Sequence, residues 1–98
     1  MKPRLIQGIR NGEPDGAFLF WCPGCECGHA FYTRPCEPGG PVWSFNNDMN
    51  SPTFSPSLLN KYPDGRVCHL FLRSGHIQFL GDCFHRLAGQ TVDMVPFP

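Results

Sequence analysis

The chain has 98 residues, enough for one small domain, and carries 11 glycines, 11 prolines and six cysteines. Its eight basic and eight acidic residues cancel and are scattered, so the chain lacks the cationic patch that non-specific nucleic-acid binding needs. So many glycines and prolines exclude long helices. We therefore expect residues 1–98 to form a single mostly β domain built on an antiparallel sheet.

The first part of the chain is predicted to form three short strands. The first covers residues 4–9 and ends at an Asn-Gly turn; the second covers residues 17–21 and the third residues 29–32. The proline- and glycine-rich stretch 33–41 is predicted to be a loop. We expect Cys36, which lies in this loop, to be an exposed thiol.

The stretch 51–57 contains two prolines, which favour an extended path with few backbone donors. One interpretation is a rigid connector with Phe54 inserted in the core. The other is a preformed surface for a partner protein. The residues predicted for that surface are Trp43, Asn46, Asp48, Pro52, Phe54 and Pro56.

The second half of the chain predicts an antiparallel three-stranded meander. Its strands cover residues 58–62, 67–73 and 76–80 and are separated by Pro-Asp-Gly and Ser-Gly turns. Asp82 is then expected to cap a short helical turn over residues 83–88. A last edge strand is expected to follow.

Cys22 and Cys25 are separated by Pro-Gly, a tight turn that lets two thiolates face one metal ion. Cys27 is the rival ligand within the same stretch. The six cysteines are an even number and are compatible with three disulfides, but the interleaved histidines and the lack of an export signal favour a metal site.

The second pair of ligands is predicted to come from the meander. Cys68 and His69 are the first choice, although neighbouring strand residues point to opposite faces, so both bind only if a bulge breaks the alternation. His85 is the substitute ligand if Cys68 or His69 points away from the metal. Cys83 lies on the same face as His85 only if that segment is extended. His29 is expected at the surface. The predicted Zn²⁺ ligands are thus Cys22, Cys25, Cys68 and His69, and the bound zinc is expected to hold the small antiparallel sheet together.

Several motifs occur in a fixed order over about residues 18–93: Cys22-Pro23-Gly24-Cys25, Pro52-Thr53-Phe54-Ser55-Pro56-Ser57, Cys68-His69, and Cys83-x-His85-x-Leu87-Ala88-Gly89-Gln90-Thr91. The set resembles a small zinc-binding family that is abundant in phages and prophages and has no established activity. Some of its members are labelled ammonia monooxygenase, a label that a chain without a membrane span does not support. Looser relatives sit beside bacterial ubiquitin-like conjugation genes, which suits a protein-binding role.

The first function predicted from the resemblance is a phage or prophage accessory protein with a structural zinc. It would bind a host or viral protein, such as a defence factor. Its expected location is the cytoplasm, and that of the host cell if the protein is viral. No catalytic residue is assigned under this hypothesis.

Two other functions are considered. A metal-dependent hydrolase needs an open zinc position and a carboxylate base, for which Glu26, Asp48 or Asp82 are candidates, with His85 as the acid. A single-stranded nucleic-acid binder would stack bases on aromatic residues, but the chain offers little positive charge to hold the backbone.

Overall fold

A computed structural model describes residues 2–98 and shows eight strands. They are β1 (Leu5–Arg10), β2 (Glu13–Cys22), β3 (Cys27–Tyr32), β4 (Ser44–Phe45), β5 (Phe54–Lys61), β6 (Val67–Arg73), β7 (His76–Phe79) and β8 (Thr91–Asp93). Residues 2–98 contain no helix, and hence none with the length and apolar character needed to span a membrane. The predicted mostly β fold is confirmed.

The strands form two antiparallel sheets. The smaller sheet has the order β1-β2-β3 and the larger has the order β4-β5-β6-β7-β8. The predicted meander is confirmed as β5-β6-β7, in which Leu58 pairs with Leu70 and Leu72 with Ile77. The β1-β2 turn places Asn11 and Gly12 at φ values of 53° and 79°, the left-handed conformation that two-residue hairpin turns require.

The core lies between the two sheets and is mainly aromatic. Phe31 of β3 stacks on Phe54 of β5, with ring centroids 4.3 Å apart and ring planes 4° apart. Along β6 the buried residues alternate with half-buried ones, since successive side chains of a strand point to opposite faces. This alternation decides which residues reach the space between the sheets and which reach the outer face of the larger sheet.

The segment predicted to be a helical turn is a series of turns instead. The N–H of Ala88 donates to the carbonyl of His85 at 3.1 Å, but no helix develops over residues 83–88. The N–H of Phe84 donates to the carbonyl of Val67 at 3.0 Å, which ties this segment alongside β6 and prevents it from winding.

Candidate functional site

The hairpin between β2 and β3 forms a cysteine knuckle. Cys22 pairs with Cys27 at the end of the ladder, and the intervening turn is closed by a hydrogen bond from the N–H of Glu26 to the carbonyl of Cys22 at 2.8 Å. The N–H of Cys25 donates to the sulfur of Cys22 at 3.3 Å. Amide donors of this kind stabilise a thiolate in the position where it binds a metal ion.

Four side chains meet at this knuckle. The ligand atoms of Cys22, Cys25, His29 and Cys68 all lie within 4.8 Å of one another. The sulfurs of Cys22 and Cys68 are 3.9 Å apart. Two thiolates on one tetrahedral zinc, each about 2.3 Å from the ion, are about 3.8 Å apart, so the geometry fits a metal ion. The structure therefore brings together three of the four predicted ligands.

His29 is the member of this group that the sequence did not predict. It was expected at the surface, but it pairs with Phe20 in the β2-β3 ladder and is only 7 % exposed. Its Nε2 atom is buried and has no hydrogen-bond partner among residues 2–98. Buried polar atoms are nearly always paired, and a metal ion bound between His29 and the cysteines would supply the missing partner.

His85, the predicted substitute, contacts the cluster from the other side. Its Nε2 lies 3.4 Å from the sulfur of Cys68, while the N–H of Leu87 donates to its Nδ1 at 3.3 Å. A backbone N–H can only donate, so Nδ1 carries the lone pair and Nε2 carries the proton. His85 is thus placed to donate to the Cys68 sulfur. The His85 ring packs so closely on Gly24 that a Cβ at position 24 would clash with it.

The electrostatics of the three thiols favour a bound cation. A hydrogen bond from Cys68 lowers the pKa of Cys22 to about 3, and Cys68 keeps the shared proton, so its own pKa is raised. Burial raises the pKa of Cys25 to about 11. Without a cation only one of the three thiols is therefore ionised at neutral pH. A bound divalent ion would neutralise two of the three thiolate charges and so favour ionisation of all three cysteines.

His69, the fourth predicted ligand, lies elsewhere. Cys68 pairs with Asn60 and His69 with Leu59 without a shift in register, so the strand alternation holds and the two residues point to opposite faces. Among residues 2–98, neither the knuckle group nor the second group of potential metal ligands includes His69; the second group consists of Cys68, Cys83 and His85. The bulge that the prediction required is absent from this part of β6.

His69 instead lies between a serine and a carboxylate. Its Nε2 is 3.1 Å from the Oγ of Ser57, and its Nδ1 is 3.1 Å from an oxygen of Asp82. With the Nδ1 proton donated to Asp82, Nε2 holds a lone pair and accepts the Ser57 hydroxyl proton. This is the arrangement in which a histidine activates a serine as a nucleophile.

Three separate elements build this triad. Ser57 belongs to β5 and lies within the stretch where the β5-β6 register shifts, between Phe54 and Leu58. His69 is in β6, and Asp82 is in the turn after β7. Sequence reasoning did not identify Ser57, because the three residues have no characteristic spacing along the chain. Asp82 was considered only as a helix cap or as a base for a metal-bound water.

Part of the predicted partner surface is buried. Pro52 and Phe54 are fully buried because they fill the core where the sheets meet, so neither is available to a partner. The indole N–H of Trp43, which is half-buried, donates to the carbonyl of Ser57 at 3.1 Å and fixes the backbone at that serine.

The remaining residues of that surface are exposed. The side-chain oxygen of Asn46 accepts from the N–H of Asp48, and that of Asp48 accepts from the N–H of Asn50, both within the turn before β5. Pro56 is exposed beside Ser57. Cys36 is an exposed thiol, as predicted.

A family described as bacterial ubiquitination-like system serine protease (BubE) matches residues 2–80. No curated protein and no solved structure matches the chain significantly.

Proposed function

Since the chain belongs to the family of bacterial ubiquitination-like system serine proteases (BubE), we propose that it hydrolyses peptide bonds with Ser57 as the nucleophile. The observation that carries the proposal is the pair of 3.1 Å contacts that join Ser57 to His69 and His69 to Asp82. The family description supplies the reaction class, and the geometry supports these three residues as the ones that perform it.

The mechanism follows from the two contacts. The Oγ of Ser57 attacks the carbonyl carbon of the substrate while His69 Nε2 takes the hydroxyl proton. Asp82, hydrogen-bonded to Nδ1, orients the ring and stabilises the imidazolium. When the tetrahedral intermediate collapses, His69 returns the proton to the leaving amine and an acyl-enzyme remains. Water, deprotonated by His69, then attacks the acyl carbon, releases the carboxylic acid and restores the Ser57 hydroxyl.

The metal has a different role in this proposal. Cys22, Cys25, His29 and Cys68 would hold Zn²⁺, the ion favoured by thiolate and imidazole ligands in a tetrahedral site. Four protein ligands leave no position for water or substrate, so the ion stabilises the fold. The proposal therefore assigns hydrolysis to Ser57 instead of a metal-bound water, in contrast to the metal-dependent hydrolase considered from the sequence.

The substrate is proposed to be a protein of a bacterial ubiquitination-like system, the setting named in the family description. A protease must bind a protein chain, so the partner protein expected from the sequence becomes a substrate. Phage or prophage origin, a host or defence partner and a cytoplasmic location stay predictions. No contact among residues 2–98 favours the nucleic-acid alternative.

A hydrolysis assay tests the proposal. Purified zinc-loaded protein is incubated with a pool of tryptic peptides, and new termini are quantified by mass spectrometry for wild type, Ser57→Ala and Ser55→Ala. Ser55 is a matched control because it is an exposed serine on the same strand, two positions from the nucleophile. We expect Ser57→Ala to lower the rate by about 10³-fold or more, as loss of a triad member does. Undiminished cleavage by Ser57→Ala would overturn the proposal.

A further inference from the structure

One edge of β5 is uncovered beside the proposed nucleophile. On the side away from β6, β4 pairs with β5 only at Phe54 and Ser55. Beyond Ser55, no strand among residues 2–98 lies along this edge. At Ser57 the indole N–H of Trp43 already donates to the backbone carbonyl, so the uncovered part begins after Ser57, directly beside the proposed nucleophile.

Hydrogen bonds of β6 show which backbone groups reach this edge. The carbonyl of His69 accepts from the N–H of Leu80 at 2.9 Å, and its N–H donates to the sulfur of Cys83, so both groups point toward β7. In an antiparallel pair, opposed residues direct their backbone groups either both toward each other or both away. Leu59, which is opposite His69, therefore points its N–H and carbonyl away from β6.

The same reasoning applies two residues later. The carbonyl of Val67 accepts from the N–H of Phe84 at 3.0 Å on the β7 side, so Lys61, which pairs with Val67, also points its backbone groups outward. No hydrogen bond from a loop in residues 2–98 reaches the backbone of Leu59 or Lys61. Two donors and two acceptors thus line the free edge.

The side chain of Leu59 adds an apolar contact at this place. It is 43 % exposed and lies on the same face of the sheet as His69, its partner in the ladder. Ser57 reaches the same face, since its hydroxyl contacts the His69 ring. An exposed leucine beside a serine nucleophile is suited to contact a substrate side chain.

We propose that this edge binds the substrate as an added antiparallel strand, which presents the scissile carbonyl opposite Ser57. Edge addition of an extended peptide is a common recognition mode, in which backbone hydrogen bonds give affinity and alternate side chains give specificity. The partner is an unfolded polypeptide segment. This inference rests on the proposed protease function and names the form in which its substrate binds.

The register predicts a specificity. In an antiparallel alignment, the substrate residue opposite Leu59 is two positions N-terminal to the residue whose carbonyl is attacked. Its side chain lies on the same face as that of Leu59. We expect an apolar residue there, and a leucine at this position should give at least about tenfold higher kcat/KM than a serine, since burial of a few methylene groups discriminates by such factors.

The test uses synthetic peptides that differ only at that position, in leucine or serine, derived from a sequence cleaved in the tryptic pool. The leucine-to-serine ratio of kcat/KM is measured for wild type, Leu59→Ser and Ile9→Ser. Ile9 is the matched control, an apolar residue of β1 that is 60 % exposed. We expect the ratio to fall toward one in Leu59→Ser and to stay unchanged in Ile9→Ser.

A second measurement tests the backbone pairing. N-methylation of the substrate residue opposite Leu59 removes an N–H that pairs with the edge, whereas the next residue directs its N–H away. We expect methylation of the residue opposite Leu59 to lower kcat/KM at least about tenfold, and methylation of the next residue to lower it less than about twofold. Equal effects of the two methylations, or a leucine preference that Leu59→Ser retains, would overturn the edge proposal.

Labelling by a fluorophosphonate separates this proposal from the one it rests on. If the probe labels Ser57 but no peptide of the pool is cleaved, the edge proposal fails and the nucleophile stands. If the probe does not label Ser57 and no peptide is cleaved, the protease function fails and the edge proposal falls with it.

Discussion

Cys68 and His69 are consecutive residues of β6 that serve opposite faces of the same sheet. The sulfur of Cys68 lies 3.9 Å from that of Cys22 in the interior, whereas Nε2 of His69 lies 3.1 Å from Ser57 on the outer face. A metal ion that anchors Cys68 to the β2-β3 hairpin therefore also fixes the strand that carries the proposed base. The proposed metal site and triad are separate in chemistry but share this strand.

The identity of the fourth metal ligand can be tested by replacing each of the two candidate histidines, His29 and His85, with alanine in turn. Native mass spectrometry under reducing conditions should find one zinc per chain in wild type and none in His29→Ala. His85→Ala should keep the ion with about 10- to 100-fold weaker affinity, because it removes a donor to a ligand and not the ligand itself. Zinc bound by His29→Ala and lost from His85→Ala would make His85 the ligand.

Zinc binding should release two protons per ion at pH 8. All three cysteines are thiolates when bound to the metal, but the lowered pKa of Cys22 means that its proton has already left, whereas the raised pKa values of Cys25 and Cys68 mean that theirs remain. Calorimetry in buffers of different ionisation enthalpy counts the protons. Circular dichroism checks that the metal-free chain is folded; release of three protons from a folded chain would contradict the described thiol arrangement.

Asp82→Asn should slow catalysis without loss of the metal. An asparagine in this position favours the wrong tautomer of the histidine, which costs about 10⁴-fold in kcat in a buried triad. Because the Asp82 side chain is 55 % exposed, water replaces part of its effect and we expect about 10²-fold. Steady-state kinetics with zinc analysis measures both quantities. An unchanged kcat would exclude Asp82 from the mechanism.

Cys83 is predicted to position His69. Its thiol donates to the carbonyl of His69 at 3.1 Å, and its sulfur accepts from the N–H of His69 at 3.3 Å. Cys83 therefore ties the turn that carries Asp82 to His69, the proposed base. Cys83→Ala should lower kcat about tenfold, with KM and zinc content little changed. Cys83→Ser, which keeps a donor and an acceptor, should recover part of the rate. Zinc loss from Cys83→Ala would instead make Cys83 a metal ligand.

The sequence predicted the sheets well because strand and turn patterns are local. The three strands of the meander follow apolar runs that are bounded by glycine turns, and Cys22 and Cys25 are a local pair with a characteristic spacing. Cys68 was also placed correctly near them. For the strands and the Cys22-Cys25 pair, the residues that decide the structure are close along the chain, whereas Cys68 lies 46 residues from Cys22.

The site residues that the sequence did not predict correctly are those whose position depends on which face of a strand points inward. His69 was assigned to the metal only by assuming a bulge in β6, and the regular pairing there turns it outward. His29 was expected at the surface, yet β3 faces the larger sheet on that side. Ser57 reaches His69 through a register shift in β5, which no local pattern reveals.

The most direct test of the central claim is active-site labelling of the zinc-loaded protein with a fluorophosphonate, followed by peptide mapping. Our account predicts one label per chain, on Ser57, and a labelling rate that falls at least about 10²-fold in His69→Ala because the base is gone. Ser55→Ala should label as wild type does. A folded, zinc-loaded protein that is not labelled at Ser57, or that is labelled equally fast without His69, would contradict a serine nucleophile activated by this histidine.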